Sequence, residues 1–203
     1  MKPQVSSSYM IVNLAWSDNR WQQVSVNQKV GHSYAKGTYP PHECLNFDFR
    51  KKDNLGSAID TSSTVHGYFQ SHVTPKRFVN KGMIFFYSRS TVDHKGYIVG
   101  VYGEATLVSH WFPRGYVGFE KNEFLSNISG EVAKSTLFVD PYLTETPYKG
   151  TEKRLVGQVG FRYIKKSLAL RILHDELNAC KTSGNQGIAI KLNKLINDAQ
   201  GLP

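Results

Sequence analysis

Residues 81–105, KGMIFFYSRSTVDHKGYIVGVYGEA, place the strongest constraint on what this chain can fold into. Residues 83–87 form a continuous apolar run rich in aromatic side chains, which predicts a strand buried on both faces. A polar segment follows, and the apolar pattern resumes at residues 97–102. Three glycines punctuate this second run, and glycine inside a strand is typical of a bulge or a sharp bend. The stretch therefore predicts a curved β-hairpin that forms one wall of a ligand pocket.

The rest of the chain indicates short strands and few helices. Residues 9–16, YMIVNLAW, predict a first strand, and residues 44–49, CLNFDF, predict a half-buried one. Residues 116–137 contain scattered glycines and asparagines and predict loop with short elements. Residues 165–179 predict an amphipathic helix, and residues 188–199 predict a second, shorter one. About six to eight short strands with peripheral helices predict a mixed α/β fold, without the alternating βαβ order of a doubly wound sheet.

Chain length and cysteine usage limit the number of domains and the cellular compartment. A chain of 203 residues favours one domain. We assign residues 1–182 to it, and we expect residues 183–203 to be a helical extension or a linker to a further domain, because the last helical segment lacks a capping signal. Cys44 and Cys180 are the only cysteines and lie outside any CxxC motif, which predicts a reduced, cytoplasmic compartment.

Charge and aromatic content point to the kind of partner. Lys and Arg number 25 against 16 Asp and Glu, so the formal net charge is +9. A surplus of this size favours a polyanionic partner, and a solubilising surface is the alternative. Aromatic residues make up 12% of the chain. Basic charge together with aromatic rings is what single-stranded or flipped bases require, so the composition indicates a nucleic acid.

Signatures of catalysis are missing from the sequence. It contains no GxGxxG, GxxxxGK[ST], HExxH or GxSxG motif. The seven histidines form no pair at metal-ligand spacing on a helix, so we assign no catalytic residue, metal or cofactor and expect a binding protein. A metal-dependent nuclease is a less favoured alternative, because nearly any chain offers three carboxylates. Those carboxylates would be Asp48, Asp60 and Glu104.

A resemblance to a known family rests on the hairpin. KGMIFFYSRS and YIVGVYGEA resemble the signature of EVE domains and their PUA-like relatives, which include YTH domains. In that signature a glycine precedes a strand ending in an aromatic residue and Ser, and the next strand carries apolar-Val-Gly-apolar before a Glu. Met83 departs from it, since the family often has Asp there, and the resemblance covers about a quarter of the chain. The matching positions are Gly82, Tyr87, Ser88, Gly100 and Glu104.

The resemblance implies a PUA-like pseudo-barrel that holds a modified base in an aromatic cage. Similar modules are the N-terminal DNA-binding domains of McrBC-type modification-dependent restriction enzymes. It therefore implies that this chain flips a methylated base out of double-stranded DNA and targets a restriction system, with further domains or subunits as partners. The alternative is an EVE- or YTH-like reader of a modified base in single-stranded RNA.

The expected cage is built from tryptophans over Tyr87, with two polar side chains that can both donate and accept hydrogen bonds to the base edge. Trp21 and Trp111 lie beside turn signals, which favours the pocket. Core packing is the competing interpretation, most directly for Trp16 and Tyr87. The candidate base-binding residues are Asn13, Trp16, Trp21, Tyr87, Ser88 and Trp111.

Basic side chains clustered around the pocket mouth would hold the phosphate backbone. Binding through them would weaken as the salt concentration rises. The candidates are Arg50, Lys51, Lys52, Lys76, Arg77, Arg89 and Arg114.

Overall fold

The computed structural model of the chain describes residues 8–23, 41–49, 63–78, 81–114, 124–144, 156 and 159–201, with the backbone alone at residues 109–114 and 143. Its strands are β1 (Tyr9–Leu14), β2 (Thr64–Gly67), β3 (Gly82–Arg89), β4 (Gly96–Arg114), β5 (Phe124–Leu143) and β6 (Phe161–Tyr163). Its helices are a short 3-10 helix (His42–Leu45), α1 (Lys166–Ser183) and α2 (Gln186–Gly201). Neither α1 nor α2 is long and apolar enough to cross a membrane.

The strands form one six-stranded sheet in the order β2-β5-β4-β3-β1-β6. β1 runs parallel to β3, and the other neighbours are antiparallel. The predicted hairpin is confirmed as β3 and β4, and residues 83–86 are almost completely buried, as a strand covered on both faces requires. The mixed α/β class is also confirmed. The described strands pair in a linear order with β2 and β6 at the edges, so the expected pseudo-barrel is not closed among them.

Alternation along the strands divides the core into two layers, because successive side chains of a strand point to opposite faces of the sheet. Ile11 and Phe85 point to the face that α1 and α2 cover, which we call the helix face. Met10, Ile84 and Phe86 point to the other face, where aromatic side chains from outside the sheet cover them. We call this second side the aromatic face.

The second helix belongs to the main core. Leu192, Leu195 and Ala199 of α2 are fully buried in the same cluster as the buried side of α1. Between the helices, Gly184 adopts a left-handed conformation (φ 72°), the usual glycine-dependent way to end a helix. The boundary that we expected after residue 182 therefore falls at the turn between two helices that share one core.

Two secondary-structure predictions are wrong. Residues 42–45 form a 3-10 helix where the alternating pattern of residues 44–49 predicted a strand. From residue 124 onward, the predicted loop of residues 116–137 is part of the long strand β5.

The residues in β5 that suggested turns serve the sheet instead. The Asn127 amide makes two hydrogen bonds, of 3.0 and 2.8 Å, to the Phe69 backbone. Gly130 leaves room for the Tyr102 side chain, because a Cβ at Gly130 would lie 2.9 Å from the Tyr102 Cβ and 3.1 Å from its ring atom Cδ2.

Candidate functional site

The loop after β1, residues 15–21, holds two tryptophans in a fixed relation, and we call it the tryptophan loop. The Trp16 and Trp21 rings pack edge to face with centroids 5.6 Å apart. Trp21 is 3% exposed, and its Nε1 donates to the Ala15 carbonyl at 2.8 Å. Trp16 is half-buried, and its Nε1 donates to Asp18 Oδ1 at 2.9 Å. The buried ring thus supports the one that reaches the surface.

The backbone of this loop is strained. Arg20 and Trp21 have φ values of 53° and 56°, a left-handed conformation that costs a non-glycine residue about 1–3 kcal/mol. Ser17 holds the turn, because its carbonyl accepts from the Arg20 amide and its Oγ from the Trp21 amide. The Arg20 guanidinium also donates to the Phe138 carbonyl at 2.5 Å. Such strain persists where the surroundings determine the conformation and clusters at ligand sites.

Tyr97 at the start of β4 adds a third ring to this place. Its centroid lies 6.4 Å from that of Trp16, and its hydroxyl donates to Asp93 Oδ2 at 2.5 Å. Hydrogen bonds from Tyr97, from the Lys95 amide and from Ser90 lower the Asp93 pKa to about 2. We call Trp16, Trp21 and Tyr97 the aromatic cluster. The polar atoms of all three residues are held by hydrogen bonds, so the rings are oriented before any ligand arrives.

A pocket of about 350 Å³ lies next to the cluster. Trp21 joins the two, because its carbonyl accepts a 2.8 Å hydrogen bond from the Phe47 amide. The volume is near the lower end of the roughly 300–1,000 Å³ typical of ligand pockets, and the pocket is half open. The pocket is lined by Gln22, Gln23, Phe47, Asp48 and Phe49.

Helix α2 contributes a lysine, Lys191, that contacts the wall of this pocket. This contact was not predicted from the sequence. Lys191 Nζ lies 5.0 Å from the centroid of the Phe49 ring and donates to the carbonyls of Val132 and Ser135, both at 2.8 Å. Burial, and to a lesser extent Lys194, lowers the Lys191 pKa. Lys191 follows Phe49 by more than a hundred residues, so no local pattern could have paired them.

The structure brings together only part of the expected cage. Trp16 and Trp21 lie on the aromatic face. Ser88 lies on the same face but is fully buried, and its Oγ donates to the Leu14 carbonyl at 3.1 Å. Asn13 and Tyr87 are cross-strand neighbours, and the Tyr87 ring packs in the core of the helix face.

The separation of Tyr87 from the tryptophans follows from strand geometry. Tyr87 and Ser88 are consecutive in β3, so their side chains must point to opposite faces. Asn13 follows Tyr87 to the helix face because directly paired residues share a face. Neither of them therefore reaches the tryptophan pair. The side chain of Trp111 lies outside the described part of the chain.

The described phosphate-binding candidates lie in two places. Arg89 is at the end of β3, where its Nε donates to the His94 carbonyl at 2.8 Å. Lys76 and Arg77 lie beside the edge strand β6, with the Arg77 guanidinium 4.8 Å from the Tyr163 ring centroid. Four further candidates fall outside what the structure describes, namely Arg50, Lys51, Lys52 and the side chain of Arg114.

The carboxylates considered for a nuclease do not converge in the described structure. Asp48 lines the pocket, whereas Glu104 pairs with Lys81 and Lys134 at 3.4 and 3.6 Å. Asp60 is outside the described ranges. Among the described residues, no group of three or more His, Cys, Asp or Glu side chains is placed to hold a metal ion.

Comparisons of the chain with protein-family models, with curated proteins and with solved structures find no match.

Proposed function

We propose that this chain is a nucleic-acid-binding module that holds a flipped, methylated DNA base against Trp16, with the base edge in the adjacent pocket. The observation that carries the proposal is the fixed Trp16–Trp21 pair beside a pocket of about 350 Å³. The net charge of +9 favours a polyanionic ligand.

The energies are of the right order for such a reader. Extruding a base from a duplex costs a few kcal/mol, and stacking on an aromatic ring returns ~1–3 kcal/mol. Because Trp16 is already oriented by Trp21 and Asp18, little of this gain is lost in ordering the ring. The buried methyl group adds only ~0.8 kcal/mol, about fourfold in affinity. Stronger selectivity therefore depends on the shape of the pocket and on hydrogen bonds from Gln22 and Gln23.

The wider context in this proposal comes from the family resemblance. A PUA-like pseudo-barrel is consistent with the mixed sheet and with the register shifts along β3 and β4, since bulges curve a sheet. A cytoplasmic module of this kind would direct a modification-dependent restriction complex to marked DNA, and partner domains or subunits would cleave it.

Replacing Trp16 tests the proposed function. Trp16 is half-buried, so Trp16→Leu should leave the fold intact, whereas Trp21 is core-like and its loss would be expected to destabilise the protein. Binding is measured by fluorescence anisotropy with two duplexes that differ by one methylated base. We expect the wild type to prefer the methylated duplex and Trp16→Leu to bind it at least fivefold more weakly, the lower limit of base stacking.

Tyr142→Leu is the matched control, because Tyr142 is equally half-buried but packs on the helix face. It should bind like the wild type. Equal wild-type affinity for both duplexes, or affinity for neither, would rule out the proposal for DNA. A single-stranded RNA carrying the methylated base is included, and a preference for it would favour the RNA-reader alternative.

A second candidate function is recognition of a methylated ammonium group on a peptide. The aromatic cluster is accompanied by carboxylates, since Asp18 and Asp93 bond two of its residues and Asp48 lines the pocket. Aromatic faces beside negative charge attract quaternary ammonium ions. A trimethyl-lysine peptide in the same assay distinguishes the two candidates, because only a cation reader would bind it.

A further inference from the structure

The edge strand β6 carries a second aromatic surface. Phe161 and Tyr163 are two residues apart, so their half-buried rings share the aromatic face of the sheet. The ring centroids are 5.5 Å apart at an interplanar angle of 72°. The Arg77 guanidinium lies 4.8 Å from the Tyr163 centroid, and the Arg77 amide donates to the Tyr163 hydroxyl at 2.9 Å. We call Lys76, Arg77, Phe161 and Tyr163 the edge platform.

Backbone contacts hold the two halves of the edge platform together. Gly160, with φ 88°, lies so close to the segment before Lys76 that a Cβ would be 2.2 Å from the Gln70 carbonyl oxygen. Ser71 Oγ is within hydrogen-bond distance of the carbonyl oxygens of Val73 and Val159, at 2.6 and 2.8 Å. The aromatic strand and the basic segment therefore have a defined relative position.

The two segments that build and flank the edge platform carry charges of one sign only. Neither residues 63–78 nor residues 159–171, the two segments that build and flank it, contain an Asp or Glu. Protection of an edge strand by lysine and arginine is the simpler explanation for such charges. That explanation does not account for the stacked guanidinium or for the aromatic pair, which together form the kind of surface that binds single strands. The basic residues of the two segments are Lys76, Arg77, Arg162, Lys165, Lys166 and Arg171.

The edge platform and the aromatic cluster lie on the same face of the sheet, since Phe161, Tyr163 and Trp16 pack against one core cluster. Phe161 is opposite Val12 in β1, and Trp16 follows Val12 by four residues. Four residues span at most ~14 Å, and the step from Val12 to Phe161 across the strand pair adds ~5 Å. The backbones of Phe161 and Trp16 are therefore at most ~19 Å apart, which a strand stacked at about 3.4 Å per nucleotide crosses in about four to six nucleotides.

We propose that the edge platform binds single-stranded nucleic acid that continues from a base held at Trp16, by stacking unpaired bases on Phe161 and Tyr163 and by phosphate contacts from Lys76 and Arg77. This inference rests on the proposed function for the position of the base, but the platform itself binds without regard to methylation or sequence. It predicts a binding site longer than one nucleotide. It also divides the roles, with specificity at the aromatic cluster and salt-dependent affinity at the edge.

The test measures the binding of two charge-matched double variants to single-stranded 12-mers of deoxyadenosine or deoxycytidine, and to the same oligomers with one central base replaced by its methylated form. Lys76→Gln/Arg77→Gln removes the platform charges and leaves the Arg77 amide in place. Lys181→Gln/Lys194→Gln removes two exposed charges of the helices and is the control. We expect the platform variant to lose about tenfold in affinity at low salt and the slope of log K against log salt to fall by ~1.4, while the control behaves like the wild type.

A third variant separates this inference from the proposed function. Trp16→Leu should lose the preference for the methylated oligomer and keep the wild-type salt slope with the unmethylated oligomer. If the platform variant matches the wild type with both oligomers, the platform inference is refuted and the proposed function stands. If the platform variant is impaired but the wild type shows no methyl preference, the proposed function fails alone. A wild type that binds neither oligomer refutes the platform inference, and the duplex assay described above then decides the proposed function.

Discussion

Glu176 shows how burial acts on a single residue. It is 2% exposed in α1, and its Oε1 accepts a 2.5 Å hydrogen bond from the Val139 amide of β5. Among the described residues its buried Oε2 has no hydrogen-bond partner. Burial raises the Glu176 pKa to about 7, and the charge of Asp140 acts in the same direction. Beside it, burial and the carboxyl group raise the pKa of the Cys180 thiol to about 12.

This buried carboxyl predicts that the protein becomes less stable as the pH rises towards neutral. Its pKa is higher in the folded chain than the ordinary value of 4.5, so the stabilising contribution is complete below about pH 4.5 and is lost as the pH passes 7. This rise in the Glu176 pKa corresponds to about 3 kcal/mol. In Glu176→Gln this pH dependence of stability should disappear. The free energy of unfolding of the variant should therefore rise relative to that of the wild type between pH 5 and pH 8.

Urea unfolding at several pH values measures this difference. The readout is the slope of the free energy of unfolding against pH, not its value at one pH. A glutamine amide at the Oε2 position is also destabilising, but it is so equally at every pH. Asp175→Asn, an exposed neighbour on the same helix, is the control and should run parallel to the wild type. Parallel curves for Glu176→Gln as well would show that the carboxyl does not titrate in this range.

At the scale of elements, β4 depends on glycine where other parts of the chain cross it closely. A Cβ on Gly100 would lie 2.6 Å from the Phe47 ring and 2.6 Å from the Thr136 carbonyl oxygen of β5. β4 also shifts register against β3 and β5 in this region. The bend that the glycines predicted is thus a place where Phe47, a wall of the pocket, packs directly on the sheet.

Gly100→Ala should therefore destabilise the protein by about 1–3 kcal/mol, because the methyl group meets backbone that cannot move freely. It should also weaken ligand binding by displacing Phe47. Gly187→Ala is the matched control, since nothing lies within 4 Å of a Cβ at that position in α2, and it should be neutral or slightly stabilising. Denaturant unfolding of both variants checks the prediction, and equal stabilities would contradict it.

At the scale of the whole molecule, α2 joins the sheet and the pocket into one unit. Its apolar side packs in the helix-face core, and Lys191 reaches the pocket wall at Phe49. Lys134 of β5 forms a 2.8 Å ion pair with Asp198 of α2, and this contact raises the Lys134 pKa. The segment expected to be an extension is therefore a structural part of the domain.

Leu195→Ala tests this unity. Leu195 is fully buried, so its truncation should cost about 2–5 kcal/mol. Ile190→Ala on the same helix is the control, because Ile190 is 57% exposed and its loss should change stability by less than about 0.5 kcal/mol. Tryptophan fluorescence follows Trp16 and Trp21 of the aromatic face together with Trp111, and far-ultraviolet circular dichroism follows the helices. The two transitions should shift together, and an unshifted fluorescence transition would mean that residues 183–203 fold separately.

The parts of the fold that local periodicity encodes were predictable. The central hairpin and both helices follow from runs and stripes of apolar side chains, because those patterns depend only on neighbours in sequence. The prediction for β5 failed because glycine and asparagine do not always mark a turn. Glycine also occurs in a strand where another side chain packs closely, and asparagine where a backbone segment needs a hydrogen-bond partner. That need comes from Tyr102 and Phe69, which are distant in sequence.

By itself the sequence determined the mixed α/β class and the basic charge. It also determined that Trp16 and Trp21 lie close together, because both belong to one tight loop of six residues. Only the tertiary structure decided which candidates share a face. It put Tyr87 and Asn13 on the helix face, enclosed Ser88, brought Phe47 and the rings of the edge platform to the aromatic face, and placed Lys191 of α2 against the Phe49 ring. The reason is that strand pairing and the two-residue alternation fix the direction of each side chain, and the partner strands are chosen by contacts far apart along the chain.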